Sequence, residues 1–324
     1  MWGSSLIILA VFAVVFGAVA AKDIIMAKRG GRKYLKRNCI AAYTMLLPAV
    51  ALAFIFVLLP IVYSLGYAFT DYYLLKPKNI RFNGIDNFKT IFKSFADKGD
   101  MYNAVINTAK FVIGVVPLQI GMALGLALFV NRSKRFVGFF KVCYFAPVVI
   151  SLTITAYLWL QILSPAETGL LNSLLKKFGK QPQDFLRDAK GAIWWIVFIS
   201  AWQGCGYQML IFLSGLTNVR KELYEAAALD GANSWQQFLH VTCPGLRSTF
   251  LFVLITVFVG ACRVMVQPML MTGYQSHTIT LSYYMYVQGY SYRLVGESSA
   301  VALLMTIVIG AITLIQRKVL REED

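Results

Sequence analysis

Seven apolar runs divide this chain, at about 6–21, 40–66, 104–130, 142–163, 191–215, 249–271 and 299–316. Each approaches the ~20 residues that carry a helix across a bilayer core of about 30 Å. In lipid every backbone donor and acceptor must be satisfied within the segment, which restricts such runs to helices. The sequence therefore predicts an all-α integral membrane protein with about seven transmembrane helices. Composition agrees: 58% of the 324 residues are hydrophobic and 14% charged, against about 25% charged in a soluble domain. No stretch between the runs is long enough for an extramembrane enzyme of ordinary size.

The charge balance, 31 Lys+Arg against 15 Asp+Glu, would suggest nucleic acid in a soluble protein. Here the basic residues sit in short connections between apolar runs, the positive-inside pattern, so no nucleic-acid partner is expected. Segments 22–39, 131–141, 216–248 and 317–324 carry 7, 4, 3 and 3 basic residues. The alternate segments, 67–103, 164–190 and 272–298, carry 6, 5 and 1, diluted by eight acidic residues. The denser set is placed in the cytoplasm, which puts the N-terminus outside and the C-terminus inside. The first run has two readings. Ala18-Val19-Ala20 resembles a signal-peptide cleavage site, but the dense basic run from Lys22 to Arg37 is hard to translocate, and we read residues 1–39 as a retained N-terminal helix with a basic linker.

Cys39, Cys143, Cys205, Cys243 and Cys262 lie in or beside apolar runs or in expected cytoplasmic loops and read as buried thiols. No CxxC pair occurs, and His240 and His277 are far apart, so the sequence supports no zinc site and no Cys/His nucleophile. Among the outer connections, Asn83-Gly84 reads as a turn and Asp86 as the cap of a short helix from Asn87 to Phe92. Tyr274, Tyr283, Tyr284, Tyr286, Tyr290 and Tyr292 form a run that fits an interfacial aromatic belt better than a sugar-stacking surface.

The connection at 216–248 is too long to be only a link between neighbouring helices. Arg220 to Leu229 is rich in helix formers, Asp230-Gly231 stops that helix, and Ser234 with Gln237 reads as the capping box of a second one. On this second helix Trp235, Phe238, Leu239 and Thr242 recur at helical spacing, so a largely apolar face must pack on something. Pro244 suits the start of the next membrane helix. Glu222, Glu225 and Asp230 stand where a helix lying on the bilayer surface would carry Lys and Arg. The pattern describes a docking element.

Glu225-Ala226-Ala227-Ala-Leu-Asp230-Gly231-Ala232, followed by Phe238 and Pro244, resembles the EAA loop of binding-protein-dependent ABC importer permeases, in the carbohydrate-uptake branch that includes maltose permease. The resemblance extends from about residue 40 to the end, through Asn83-Gly84-Ile85-Asp86-Asn87-Phe88, Asn107-Thr108 and Leu281-Ser-Tyr-Tyr284-Met-Tyr286. It implies an ABC type I importer permease fold of about six helices over residues 40–324, with 1–39 as an extra helix, in a bacterial inner membrane. It further implies a second permease subunit, an ABC ATPase dimer, an extracytoplasmic solute-binding protein and a sugar substrate. The EAA loop would then be a coupling helix seated in the ATPase, with Glu225 a polar contact and Gly231 the turn. GxxxxGK[ST] is absent from the chain, so ATP and Mg would be bound and ATP hydrolysed by the partner, and this chain would be a transport subunit without cofactor.

A sugar path needs polar groups and aromatic faces among apolar helices, and polar residues inside a span are costly enough to be suspect. The fifth run offers Ser200, Trp202, Gln203, Gly204, Tyr207 and Gln208, and the sixth Arg263 and Gln267. Aligned through the EAA motif, the sugar-lining positions of the maltose relative fall on Ser200, Gly204, Tyr207, Val257, Gly260, Ala261 and Val264. Gly204 and Tyr207 match in type, whereas the sixth-run positions replace polar and aromatic residues, so the maltose-specific constellation is absent. Either the pocket is widened for another sugar or a second permease holds the substrate. Arg263 fits an acidic substrate, a uronate or sugar phosphate, or else a salt bridge or helix-end contact, and Gln203 and Gln267 fit either substrate or interhelical bridging. The principal rival is a permease of the same architecture for glycerol-phosphate or an acidic sugar. An intramembrane enzyme would call for HExxH or paired catalytic carboxylates, and a self-sufficient secondary transporter for an inverted repeat and an intramembrane acidic pair, none of which the sequence offers.

Overall fold

The computed structural model describes residues 33–132, 137–166 and 169–321, with residues 17, 19–22 and 25. Most of the first apolar run, Lys28, Arg29 and Arg32 of the basic linker and the C-terminal Glu322-Glu323-Asp324 lie outside the described residues. Among those described the protein is helical, with two isolated antiparallel bridges, Thr70 to Phe82 and Tyr73 to Leu294.

Helix α1 (Lys33–Ala53) passes through a π-turn at Phe54–Leu58 into α2 (Leu59–Tyr67). The turn lies beside Pro60, whose nitrogen has no hydrogen to donate. There follow α3 (Asp86–Ala96), α4 (Asp100–Arg132), α5 (Val137–Val149), α6 (Leu152–Ile162), α7 (Leu170–Lys177) and α8 (Ala192–Asn218). The chain continues through α9 (Lys221–Leu229), α10 (Ser234–Gln237), α11 (Cys243–Gly245), α12 (Arg247–Cys262), α13 (Val266–Met271), α14 (Leu281–Tyr286) and α15 (Val295–Arg321).

Among the described residues four stretches are long and apolar enough to cross a membrane: Ala41–Tyr67, Asp100–Asn131, Ala192–Asn218 and Val295–Lys318. Two more spans are bent. The run at 142–163 is not one straight helix: α5 and α6 meet at 96°, and 13 or 11 residues alone reach only about 20 Å or less at 1.5 Å per residue. The segments Ser234–Gly245 and Arg247–Cys262 meet at 68°, and the run at 249–271 breaks again between Cys262 and Val266.

The core forms around α8, the least hydropathic of the four straight spans at 1.5 and the most buried at 61%. Ile120, Ala123, Ala127 and Val130 of α4 recur at helical spacing against Cys205, Met209, Phe212 and Leu216 of α8, with Val253 and Val257 of α12 closing the layer. Small residues permit this approach. A Cβ on Gly206 would overlap the Tyr144 carbonyl oxygen, and one on Gly215 would stand 2.6 Å from Thr249 Oγ1. Because α8 faces protein rather than lipid, it tolerates amides. The opposite case is Ala41–Tyr67, of mean hydropathy 2.8 and only 6% buried within the chain.

A cap closes the end remote from the 216–248 hairpin. Buried Asn87 donates to the carbonyls of Ala68 (2.9 Å) and Thr70 (2.8 Å) and accepts from Asn83 Nδ2 at 3.1 Å. A Cβ on Gly296 would strike the Thr70 carbonyl. Asp86 does not cap α3 as the sequence suggested; it is the first helical residue and pairs with Lys89 at 2.7 Å, while Ile85 holds the cap position without a side-chain bond. The tyrosine run also divides. Tyr283 and Tyr284 are core residues beside Ile279 and Val301, whereas Tyr274, Tyr290 and Tyr292 are exposed as a belt would be. Cys205 and Cys262 are buried thiols, but Cys143 and Cys243 are exposed, on helix faces that the other described residues leave uncovered.

Candidate functional site

The breaks between α5 and α6 and between α12 and α13 free backbone carbonyls, and nearby side chains take them up. At the first, Ser151 caps α6 by accepting from the Ile154 amide at 3.3 Å, and Gln203 of α8 donates to the Ile150 carbonyl at 3.1 Å. At the second, Thr280 Oγ1 donates to the Val264 carbonyl at 2.6 Å and Ser282 Oγ to the Cys262 carbonyl at 3.4 Å. Irregular backbone is tolerated at membrane depth where it is satisfied by protein or lines a cavity. Here it does both.

A cavity of about 290 Å³ opens beside the second break. Phe111, Val115 and Gln119 of α4, Leu152 of α6, Ser200 and Gln208 of α8, and Thr256, Val257, Gly260, Ala261 and the residues from Arg263 to Gln267 line it. A second cavity, of about 410 Å³, adjoins the first break between Val148 and Leu152 and is completed by Ser200, Gln203, Gly204 and Gln267. The two share Leu152, Ser200 and Gln267.

Of the residues singled out in the sequence, Ser200, Gly260, Ala261, Arg263, Val264 and Gln267 line the first cavity, as does Val257. Gln203 and Gly204 line the second. Tyr207 lines neither; it is 50% exposed on the same helix. Gln203 is 6% exposed, and its Oε1 has no hydrogen-bond partner among the described residues; Ser200 Oγ also lacks one. Sequence reasoning passed over Gln119, which donates to Gln208 Oε1 at 3.0 Å and fills the space a Cβ on Gly204 would need. The signal was present, one of two side-chain amides, with Asn107, inside the apolar run 104–130.

The second feature is the hairpin of α9 and α10. Helix α9 ends in a Schellman turn, with Ala232 N donating to the Ala227 carbonyl at 2.9 Å, Gly231 N to the Ala228 carbonyl at 3.1 Å, and Gly231 at φ +80°. The capping box of α10 lies one residue before the expected Ser234 and Gln237. Asn233 Oδ1 accepts from the amides of Trp235 and Gln236 at 3.0 and 2.9 Å, and Gln236 Oε1 accepts from the Asn233 amide at 2.8 Å. Tyr224 OH and Thr242 Oγ1, 2.9 Å apart, tie the two arms. Pro244 lies in the short α11, one break before α12.

This rigid turn presents apolar surface that nothing in the described chain covers. Leu229 is 90% and Trp235 65% exposed, while Phe238 is half-buried beneath Trp235 with ring centroids 5.4 Å apart. Glu225, Ala226 and Asp230 are exposed around them, and Ala227 and Ala232 are half-buried. Among the described residues no group of three His, Cys, Asp or Glu is placed to hold a metal ion.

The family described as binding-protein-dependent transport system inner membrane component matches residues 119–322. The arabinooligosaccharides transport system permease protein AraP of Bacillus subtilis (strain 168) is 31% identical over 297 residues, covering 90% of this chain and 92% of its own. The lactose transport system permease protein LacF of Rhizobium radiobacter is 32% identical over 263 residues, covering 79% and 85%. In fold, the chain is similar to one chain in the crystal structure of a bacterial ABC transporter involved in the import of the acidic polysaccharide alginate, with a TM-score of 0.76, 24% identity, and coverage of 89% and 97%.

Proposed function

The chain belongs to the binding-protein-dependent transport system inner membrane component family, and on that premise we propose that it is the permease subunit of an ATP-driven sugar or oligosaccharide importer. One observation carries the reading: a capped, rigid hairpin presents Leu229 and Trp235 bare to solvent, a surface that is stable only when another protein covers it. A separate ATPase dimer is the occupant. Glu225 and Asp230 supply polar contacts at its rim, Ala226, Ala227 and Ala232 allow close approach, Phe238 braces Trp235 from beneath, and Gly231 sets the turn. ATP and Mg are held by that partner, and this chain makes and breaks no covalent bond.

ATP-driven closure of the ATPase would move the hairpin, and α12 follows because it continues from it through α11. The α12–α13 break and the α5–α6 elbow lie at the cavities, so rearrangement there exposes Ser200, Gln203, Gly204, Gly260, Ala261, Val264 and Gln267 to one side of the membrane and then the other. Tyr207, exposed on α8, faces the second permease subunit, and the bare Ala41–Tyr67 rod gives that subunit further surface. The hairpin end is cytoplasmic, and the Asn87 cap receives the solute-binding protein. The names of AraP and LacF support a sugar as cargo.

The test is ATP-dependent accumulation of radiolabelled oligosaccharides by the complete transporter in proteoliposomes. Accumulation that requires internal ATP and external binding protein is expected. Accumulation by this chain alone, without ATP, would overturn the reading.

A further inference from the structure

Arg263 ends α12 at the break and points an exposed side chain to the first cavity, beside Ser200, Gln208 and Gln267. It has no ion pair and no side-chain hydrogen bond among the described residues, and it is the one charged residue lining either cavity. The sequence offers it no counterion nearby. No Asp or Glu occurs from Gly231 to Gly296, nor within the runs at 40–66, 104–130, 142–163, 191–215 and 299–316.

A cation inside a membrane protein is costly without an anion. The carbonyl end of α12 offsets only a fraction of a charge. Around it the cavities hold groups matched to hydroxyls: the unpartnered Oε1 of Gln203, itself buried, and the unpartnered Oγ of Ser200. One cation among hydroxyl-matching groups fits a sugar that carries a single negative charge. A phosphate bears close to two charges at neutral pH and calls for more than one cation. A carboxylate bears one and meets the guanidinium fork with two parallel hydrogen bonds.

We propose that Arg263 is an anion subsite in the transport path and that the cargo is a uronate-bearing oligosaccharide. The proposal rests on the sugar-import reading above and adds the substrate's charge to it.

The complete transporter, with its binding protein, is reconstituted in proteoliposomes and offered a radiolabelled aldotriouronic acid, a trisaccharide with one glucuronate, or its neutral methyl ester. Wild type is expected to accumulate the acid in preference to the ester. Arg263→Gln should lower uptake of the acid roughly 10- to 100-fold, the worth of a charge-assisted hydrogen-bond pair, and lower uptake of the ester by less. Arg263→Lys, which keeps the charge and loses the fork, should retain the preference at a reduced rate. Competition by glucose 6-phosphate stronger than by the unlabelled acid would overturn the carboxylate assignment. Uptake of the ester but not the acid, or full uptake of the acid by Arg263→Gln, would overturn the subsite and leave sugar import standing. Uptake of neither by a complex that accumulates another oligosaccharide would overturn the uronate cargo and leave sugar import standing, and accumulation of no oligosaccharide would remove both.

Discussion

Gln203 donates its Nε2 to the Ile150 carbonyl across 3.1 Å and leaves its Oε1 unpartnered at the wall of a cavity. One side chain thus satisfies the backbone where α5 and α6 part at 96° and presents an acceptor to whatever fills the space between the helices.

Replacing that amide with Gln203→Leu strands the Ile150 carbonyl. The cost is about 0.5–2 kcal/mol for an unmet hydrogen bond among membrane helices, read as a lower thermal midpoint of the purified protein in detergent. An unchanged midpoint would mean that the elbow is held by other contacts.

Gly231 sits at φ +80°, and a Cβ there would meet nothing within 4 Å. The expected penalty is conformational only, about 1–2 kcal/mol for a residue that resists the left-handed region. Gly231→Val should insert at normal levels yet lose ATPase assembly and uptake, and Gly231→Asn should keep much of both. Normal uptake by the Val variant would detach the turn from coupling.

In a variant without native cysteines, a single cysteine at Asn83 should react with an impermeant thiol reagent in intact cells. One at Asn233 should be shielded until the cells are opened. Labelling at Asn233 would invert the orientation and remove the ATPase from the hairpin.

Tyr207 supports no buried cluster and is half exposed, so Tyr207→Ala should leave the thermal midpoint within about 0.5 kcal/mol of the parent. As an aromatic face with a hydroxyl it should still alter sugar uptake, or which sugar is favoured. Parental uptake of every sugar tested would assign it to lipid or subunit packing.

Tyr274 donates to Asp100 at 2.8 Å; burial, then that bond, pushes its hydroxyl well above its ordinary value near 10. The folded state therefore holds this proton more tightly than the unfolded one. Its contribution is full below about pH 10 and is lost as pH rises through the folded value. The thermal midpoint of wild type relative to Tyr274→Phe should fall above pH 10, and a constant difference up to pH 12 would show that the bond does not stabilise the fold.

Hydropathy marked where the spans lie, because apolar length is what a bilayer requires. It did not mark their breaks, since a window counts composition and is blind to axis direction. Pro147 and Ser151 flank the α5–α6 elbow as a helix breaker and a cap, yet in an apolar run of 22 residues they read as incidental. The capping box of α10 was legible as a pattern and misplaced by one residue, because Asn233 with Gln236 and Ser234 with Gln237 satisfy it equally. Gln119 was missed for a different reason: its role depends on the absent side chain of Gly204, a pairing 85 positions away that only the α4–α8 contact creates.

The contrast between Ala41–Tyr67, 6% buried, and Ala192–Asn218, 61% buried, sets a timetable for biogenesis. The first rod needs only the bilayer and is complete once it leaves the insertion machinery. Helix α8, with Gln203 and Gln208 on it, finds a poor solvent in lipid. It must be received by α4 and α5, made earlier, and then wait for α12, made later, to cover Val257's side of the layer. A chain that ends before residue 247 therefore has its α8 amides already met, by Ile150 and Gln119, but lacks the apolar layer that Val253 and Val257 lay over Met209 and Phe212.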